Sequence, residues 1–322
     1  AGVMAVSEPI YLDYQATTPL APEARLAMLP YLESQFGNPH SAHAMGRVAA
    51  AAVELARDRV ASLLPSDGRT FFTSGATEAI NWAIKGSMAP GKVLAVSAIE
   101  HAAVLDTAAW LGGQGVTVVT LPVNAEGLID VDKAAGLLPK RVDLMCVMQV
   151  NNEIGTIQPV AELAALAHAR GGLLLCDAVQ AYGRLAAPVG ADMIAISAHK
   201  IHGPKGIGAL WLRDGVRPEP LLHGGGQQGG LRSGTLAPAL CAGFGVAAAL
   251  AAENVGADEA HICALADHLW ARLGDGWKCN GSRAARWPGN LNISQEGVDI
   301  ARLMSDVRGV MFSAGSACAS GS

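Results

Sequence analysis

Aromatic residues are scarce in this chain, at 5% of 322, and charged residues make up only 16%, against about 25% in an ordinary soluble protein. A core short of large rings must close with small side chains. The 38 glycines and the frequent alanines supply them, and such packing suits α/β layers better than a β-sandwich. No basic run occurs. The 23 basic and 28 acidic residues leave a net charge of −5, so no electrostatic surface for nucleic acid is expected. The six cysteines, Cys146, Cys176, Cys241, Cys263, Cys279 and Cys318, form no C-x-x-C pair. Several lie in apolar stretches, which reads as buried thiols in a reducing, cytoplasmic setting rather than a disulfide framework. The opening residues, "AGVMAVSEPI", lack the basic region and the apolar run of a signal peptide. The longest apolar stretch, Leu236–Ala252, holds Pro238 and two glycines and is mostly alanine. A spanning segment needs about 20 strongly apolar residues, so a buried Ala-rich helix is expected and no membrane partner.

What is present is alternation. Short apolar runs at 70–74, 92–97, 116–121, 143–150, 173–177, 193–197 and 208–212 read as strands, near-continuously hydrophobic as in a sheet covered on both faces. Helical periodicity falls between several of them, at 161–170 for example, and 48–64 precedes them with its charges on one face. This predicts a mostly parallel, doubly wound α/β layer. The polar stretch "ENVGADEAH", 253–261, reads as a boundary. The expected division is a large domain over 15–255 and a smaller α+β domain built from 1–14 and 256–322, incomplete at its C-terminal side.

Ligands of open α/β sheets bind beyond the carboxyl ends of the strands, so the residues just after each run carry the functional reading. Gly75, Ala76 and Thr77 follow 70–74 and open a helix with Glu78 in its first turn. That is an ordinary N-cap or, with free backbone N–H groups, an anion site. His101 follows 92–97. Asp177 closes 173–177, and a carboxylate so close to a buried strand needs a partner; a cationic ligand nitrogen, an N-cap or a salt bridge would each serve. Gln180 offers an amide nearby. Ser197, His199 and Lys200 cluster after 193–197. A lysine at a buried strand end is a candidate Schiff-base amine, because desolvation lowers its pKa. Together these residues supply an anion cup, an acid for a ring nitrogen and an amine, the parts needed to hold pyridoxal 5'-phosphate. "GGGQQG", 224–229, follows no strand and opens no βαβ unit, so it is not read as a dinucleotide site. The histidine pairs in "HSAH" (40–43) and "HKIH" (199–202) bring no third ligand, so no metal site is expected.

The stretches "YLDYQATTP" (11–19), "FGNPHSAH" (36–43), "FTSGATEAIN" (72–81), "EHAAVLDT" (100–107), "QVNNEIGTIQP" (149–159), "CDAVQAYG" (176–183), "SAHKIHGPKGIGAL" (197–210), "HGGGQQGGLRSGT" (223–235) and "SAGSACAS" (313–320) closely resemble the cysteine desulfurases. These belong to the class-V aminotransferase-like branch of the fold-type I pyridoxal phosphate enzymes. The cysteine loop and the 223–235 segment look like the group serving iron–sulfur cluster assembly or nitrogen fixation. The resemblance implies a role for each matching position. Lys200 would hold the cofactor covalently, Asp177 would pair with its ring nitrogen and Gln180 with its phenolic oxygen. His101 would stack on the ring and move protons. Ala76, Thr77, Ser197 and His199 would hold the phosphate, and Asn152 would lie beside cofactor and substrate. Thr235 would reach the phosphate in the other subunit of a homodimer. Cys318 would be the nucleophile that takes sulfur from L-cysteine, releases L-alanine and passes its persulfide to an acceptor or iron–sulfur scaffold protein. A thiolate is needed for the attack, and small residues around Cys318 would give a flexible tether.

Family members continue past this loop and supply an arginine for the substrate carboxylate; no residue of the 322 matches it. Two other readings stand beside the desulfurase: a selenocysteine lyase or related C–S or C–Se lyase, and an inactive sulfur-relay or scaffold protein.

Overall fold

The computed structural model describes residues 9–315. In chain order the elements are β1 (Ile10–Tyr11), α1 (Pro22–Glu33), α2 (Ala44–Ala61), β2 (Gly68–Thr73), α3 (Ala76–Ser87), β3 (Val93–Ser97), α4 (Ala102–Gly112), β4 (Thr117–Leu121), α5 (Val131–Leu137), β5 (Leu144–Met148), α6 (Val160–Ala169), β6 (Leu173–Asp177), β7 (Met193–Ser197), β8 (Gly208–Arg213), α7 (Pro238–Arg272), β9 (Lys278–Cys279), β10 (Ile293–Ser294), α8 (Ile300–Asp306) and β11 (Val310–Met311). All seven predicted strands are present, to within about two residues at each end.

They form one sheet in the order β2-β8-β7-β6-β5-β3-β4. Pairing is parallel from β7 to β4, whereas β8 runs antiparallel to both β7 and β2. The apolar runs make this arrangement stable: every residue of β5 and β7 is buried, as expected of strands covered on both faces. One core cluster joins α2, α6 and the start of α7 to one face. A second joins α3 and α4 to the other.

The apolar run is helical from Pro238, as expected, but the helix extends beyond the run. It continues to Arg272, and the polar stretch 253–261 lies inside it rather than in an irregular boundary. Its buried positions end at Ala248. Beyond that point one face of the helix, with Ala251, Val255, Ile262 and Ala266, is only partly buried and lines the cleft at the carboxyl ends of the strands, while the rest faces solvent. By length and composition α7 is the one described helix that could cross a membrane, yet its first half packs on α1 and α2 as a core helix. At the other end of the molecule, β1 pairs in parallel with β11 and brings Tyr11 beside Met311.

Candidate active site

The carboxyl ends of β5, β6 and β7 open into a cleft of about 1640 Å³. Ala76, Thr77, His101, Asn152, Asp177, Gln180, Ser197, His199 and Lys200 all line it. These residues come from separate strands and helix starts, and the sheet order places them side by side. Thr235 does not join them; it is exposed in this single chain and outside the cleft. Cys318 lies outside the described residues, although Phe312, Ser313, Ala314 and Gly315, just before it, form part of the cleft wall.

The turn between β2 and α3 makes one end of the site. No side chain caps α3, so its first N–H groups face the cleft with the positive end of the helix dipole. A Cβ built on Gly75 would meet nothing within 4 Å: the cup is open. Ser197, the last residue of β7, and His199 stand across from it along the same cleft. Burial, with Lys200 and Lys205 adding to it, lowers the His199 imidazole to about 4. His199 is therefore neutral near pH 7, and its Nδ1 pairs with the Thr17 hydroxyl at 3.1 Å.

Asp177 ends β6 and is 7% exposed. Val179 N–H donates to its Oδ1 at 2.9 Å. Burial raises its carboxyl above the ordinary value, while that bond and the neighbouring His101 and Lys200 pull it down. Burial prevails, so the site lacks the full compensation that an anionic Asp177 requires. A protonated ring nitrogen would supply it. His101 caps α4, its Nδ1 accepting from Ala103 N–H at 3.0 Å, which leaves Nε2 to carry the proton in the neutral ring. Lys200 sits in the short 3-10 turn 198–200. Its Nζ donates to the main-chain oxygens of Gln15 and Ala16. An open anion cup, an under-compensated acid and an amine in one cleft fit pyridoxal 5'-phosphate.

Several residues of the site escaped the sequence reading. The segment 12–18 forms a wall of the cleft and is stitched to 199–202. Thr18 N–H and Oγ1 both donate to His199 O at 3.0 Å, and Thr18 Oγ1 accepts from His202 N–H at 2.7 Å. Gln180, expected to offer its amide to a ligand, already uses it within the chain. Nε2 donates to Gln15 O at 3.0 Å, and Oε1 accepts from Arg184 at 3.1 Å. Arg184 also donates to Lys200 O at 2.7 Å, and burial lowers its guanidinium to about 10. Glu100 is 6% exposed, next to His101 in sequence. Its Oε1 accepts from Met148 N–H at 2.7 Å, while Oε2 is buried without a hydrogen bond. Burial pushes this carboxyl well above its usual range, and the nearby Asp177 charge adds to the shift. The only signal for these residues in the sequence was their closeness to "EH", "ATTP" and "AYGR"; nothing in their types marked them. Among the described residues no cluster suits a metal ion, and Cys146, Cys176, Cys241, Cys263 and Cys279 are free thiols.

A family profile described as "Aminotransferase class-V" matches residues 10–322. "Cysteine desulfurase IscS" of Rickettsia akari is 42% identical over 330 residues, covering 98% of this chain and 80% of the relative. Among solved structures, a "NifS-like protein" superposes with a TM-score of 0.89 at 33% identity, covering 94% of this chain and 86% of the other. A structure described as SspA in complex with cysteine superposes with a TM-score of 0.84 at 32% identity, covering 97% and 90%.

Proposed function

The chain belongs to the class-V aminotransferase family, in its cysteine desulfurase branch, and from that premise we propose how its own residues carry out desulfuration with pyridoxal 5'-phosphate. The enzyme converts L-cysteine to L-alanine and a protein-bound persulfide. The observation that carries the assignment to this cleft is the meeting of Lys200, Asp177 and His101 beside the open start of α3.

Bound there, the cofactor supplies an aldehyde that captures the amine of cysteine and a ring that takes up the electrons left at its Cα. Lys200 would hold the cofactor through Nζ when substrate is absent and would accept the α-proton at Nζ when substrate is present. Asp177 would accept a hydrogen bond from a protonated ring nitrogen, which would restore the charge that burial disfavours. The backbone N–H groups of Ala76 and Thr77, with Thr77 Oγ1, Ser197 Oγ and the neutral His199 ring, hold the phosphate. His101 covers the ring, and its Nε2 hands a proton to or from the reacting carbon. Asn152 flanks the substrate, and Gln180 turns its amide toward the phenolic oxygen by releasing Gln15 or Arg184. Cys318, as thiolate, forms a bond to the substrate sulfur as the carbon–sulfur bond breaks, and keeps that sulfur as its persulfide.

Three further proposals accompany this reading. Thr235 serves the phosphate site of a second copy in a homodimer, which its exposed position outside the cleft supports. The persulfide passes to an acceptor or scaffold protein for iron–sulfur clusters or other thio-cofactors. The protein works in the reducing cytoplasm, in keeping with its free thiols.

The test is a pair of substitutions. Lys200→Ala abolishes the visible absorbance that wild type gains with pyridoxal 5'-phosphate. Cys318→Ala removes the persulfide detected by intact mass after incubation with L-cysteine. Undiminished alanine release by Cys318→Ala would refute the nucleophile assignment.

A further inference from the structure

Loop 223–235 lies outside the cleft, yet it is tied to both sides of the turn that forms the anion cup. Gln228 stands in the left-handed region, at φ 51° and ψ 41°, where a non-glycine residue is strained and is held by its surroundings. What holds it is a two-point side-chain bond to the edge of β2. Phe72 N–H donates to Gln228 Oε1 at 2.8 Å, and Gln228 Nε2 donates to Phe72 O at 2.8 Å. The side-chain amide thus takes the place of a neighbouring strand along the β2 edge. Arg57, from α2, reinforces it: its Nη1 donates to Gln228 Oε1 at 3.0 Å and to Thr70 O at 2.6 Å.

Four residues on, Arg232 reaches the other side of the turn. Its Nε donates to Glu78 Oε1 at 2.7 Å and its Nη2 to Glu78 Oε2 at 3.0 Å. Both side chains are mostly buried, at 15% and 12% exposure. A bidentate pair of this kind fixes direction as well as distance. Glu78 Oε2 in turn accepts from Ser74 N–H at 2.7 Å. Burial alone would raise the Glu78 carboxyl, but the bonds from Arg232 and Ser74 outweigh it and hold the group below its ordinary value.

Residues 72, 74 and 78 are therefore clamped, and the cup residues 75–77 lie between the clamps. We propose that Gln228 and Arg232 are positioning residues that set the backbone amides of the phosphate cup from outside the cleft. The inference rests on the cofactor reading above. It makes loop 223–235 a single device, because Thr235, on the same loop, is the residue proposed to serve the second copy. Docking of the loop and shaping of the cup then depend on each other.

The test compares two ligands of the apo protein, pyridoxal 5'-phosphate and unphosphorylated pyridoxal, by absorbance titration. Gln228→Ala and Arg232→Ala each weaken the phosphorylated ligand at least tenfold and leave pyridoxal within twofold, because pyridoxal engages Lys200 without the cup. Arg232→Lys, which keeps the charge and loses the fork, falls between and guards against loss of folding in the alanine variant. Adding Glu78→Gln to Arg232→Ala costs nothing more, since one pair has already been broken. Equal losses for both ligands would mean that the loop only stabilises the fold and would overturn the proposal, as would unchanged affinity for the phosphorylated ligand. A wild type that holds both ligands alike would refute the cofactor reading itself, and the inference with it.

Discussion

Substituting Gly208, which does not itself line the cleft, by alanine should damage the cup proposed to hold the phosphate. Gly208 begins β8, between β7 and β2. A Cβ there would lie 2.8 Å from Gly75 Cα and 2.6 Å from Ile196 O. Carbon atoms settle at about 3.5–4.0 Å, so at least about 0.7 Å must be found. Both neighbours are backbone, and no flexible side chain can turn aside. Ile196 is wholly buried inside β7, whereas Gly75 has open space on its cleft side. Gly75 is the part that yields, and it yields into the cup. A shift of about 0.7 Å takes an N–H···O bond out of its usual span of about 2.7–3.2 Å. A hydrogen bond to a charged group contributes about 1.5–3 kcal/mol, so each one lost weakens the phosphorylated ligand about ten- to a hundredfold. Overpacking itself costs about 1–3 kcal/mol of fold stability. Titration of apo Gly208→Ala with pyridoxal 5'-phosphate, alongside urea unfolding, reads both effects. A variant that loses stability but keeps wild-type affinity would show that the strain is relieved at Ile196, and the reasoning about the cup would fail.

Three further outcomes can be checked on the apo protein. Glu100 keeps its proton in the folded chain well above the range where the unfolded chain releases it. Its contribution is complete below the ordinary carboxyl range and lost as pH rises toward the folded value; Glu100→Gln, scanned by calorimetry from pH 5 to 8, should lose stability less steeply than wild type. His199 behaves oppositely: its stability contribution is present above about pH 6.5, the ordinary histidine value, and is lost as pH falls toward about 4. His199→Asn should flatten that acid limb in the same scan, and an unchanged limb would place its cause elsewhere. Thr18→Val leaves His202 N–H without its partner and should cost about 1–3 kcal/mol in urea unfolding, with Thr18→Ser close to wild type; a loss in Thr18→Ser with none in Thr18→Val would mean that the methyl group, not the hydroxyl, holds the two segments together.

The sheet was readable from sequence because its strands have one physical task. A strand covered on both faces must be apolar throughout, so 193–197 and 143–150 stand out without any context. The insertion of β8 between β7 and β2 was not readable, since strand order is decided by packing among segments that look alike. The helical state of 253–261 was hard to read for a related reason: past Ala248 the apolar positions of α7 are sparse and only partly buried. In the cleft, Lys200 and Asp177 were visible because their types are out of place at buried strand ends, whereas His101 was marked by the family resemblance. Gln15 and Ala16 were not, because they act through main-chain oxygens about which side-chain identity says nothing. They also lie 185 and 184 residues from the lysine they bind. Glu100 and Gln228 were missed because each looks like an ordinary polar residue until burial makes its bonds compulsory.

The scarcity of aromatic residues and the design of the site have a common cause. A core closed by rings holds its layers apart, whereas this one brings backbones together. A Cβ on Gly245 would lie 2.7 Å from Ala56 Cα, so α7 crosses α2 with no side chain between them. Gly208 against Gly75 is the same device at the start of β8. Close approach lets the ends of β5, β6 and β7 and the starts of α3 and α4 share one cleft, where His101, Asp177 and Lys200 meet. The charges that do occur there stand out energetically. Buried beside one another, Asp177 and Glu100 are both pushed toward their neutral forms, and only a cation brought into the cleft can restore the first without leaving the second exposed. A ring nitrogen that carries a proton meets that condition. A neutral ligand of the same shape does not, so the acid at the end of β6 selects for the charge state of what binds as well as for its outline.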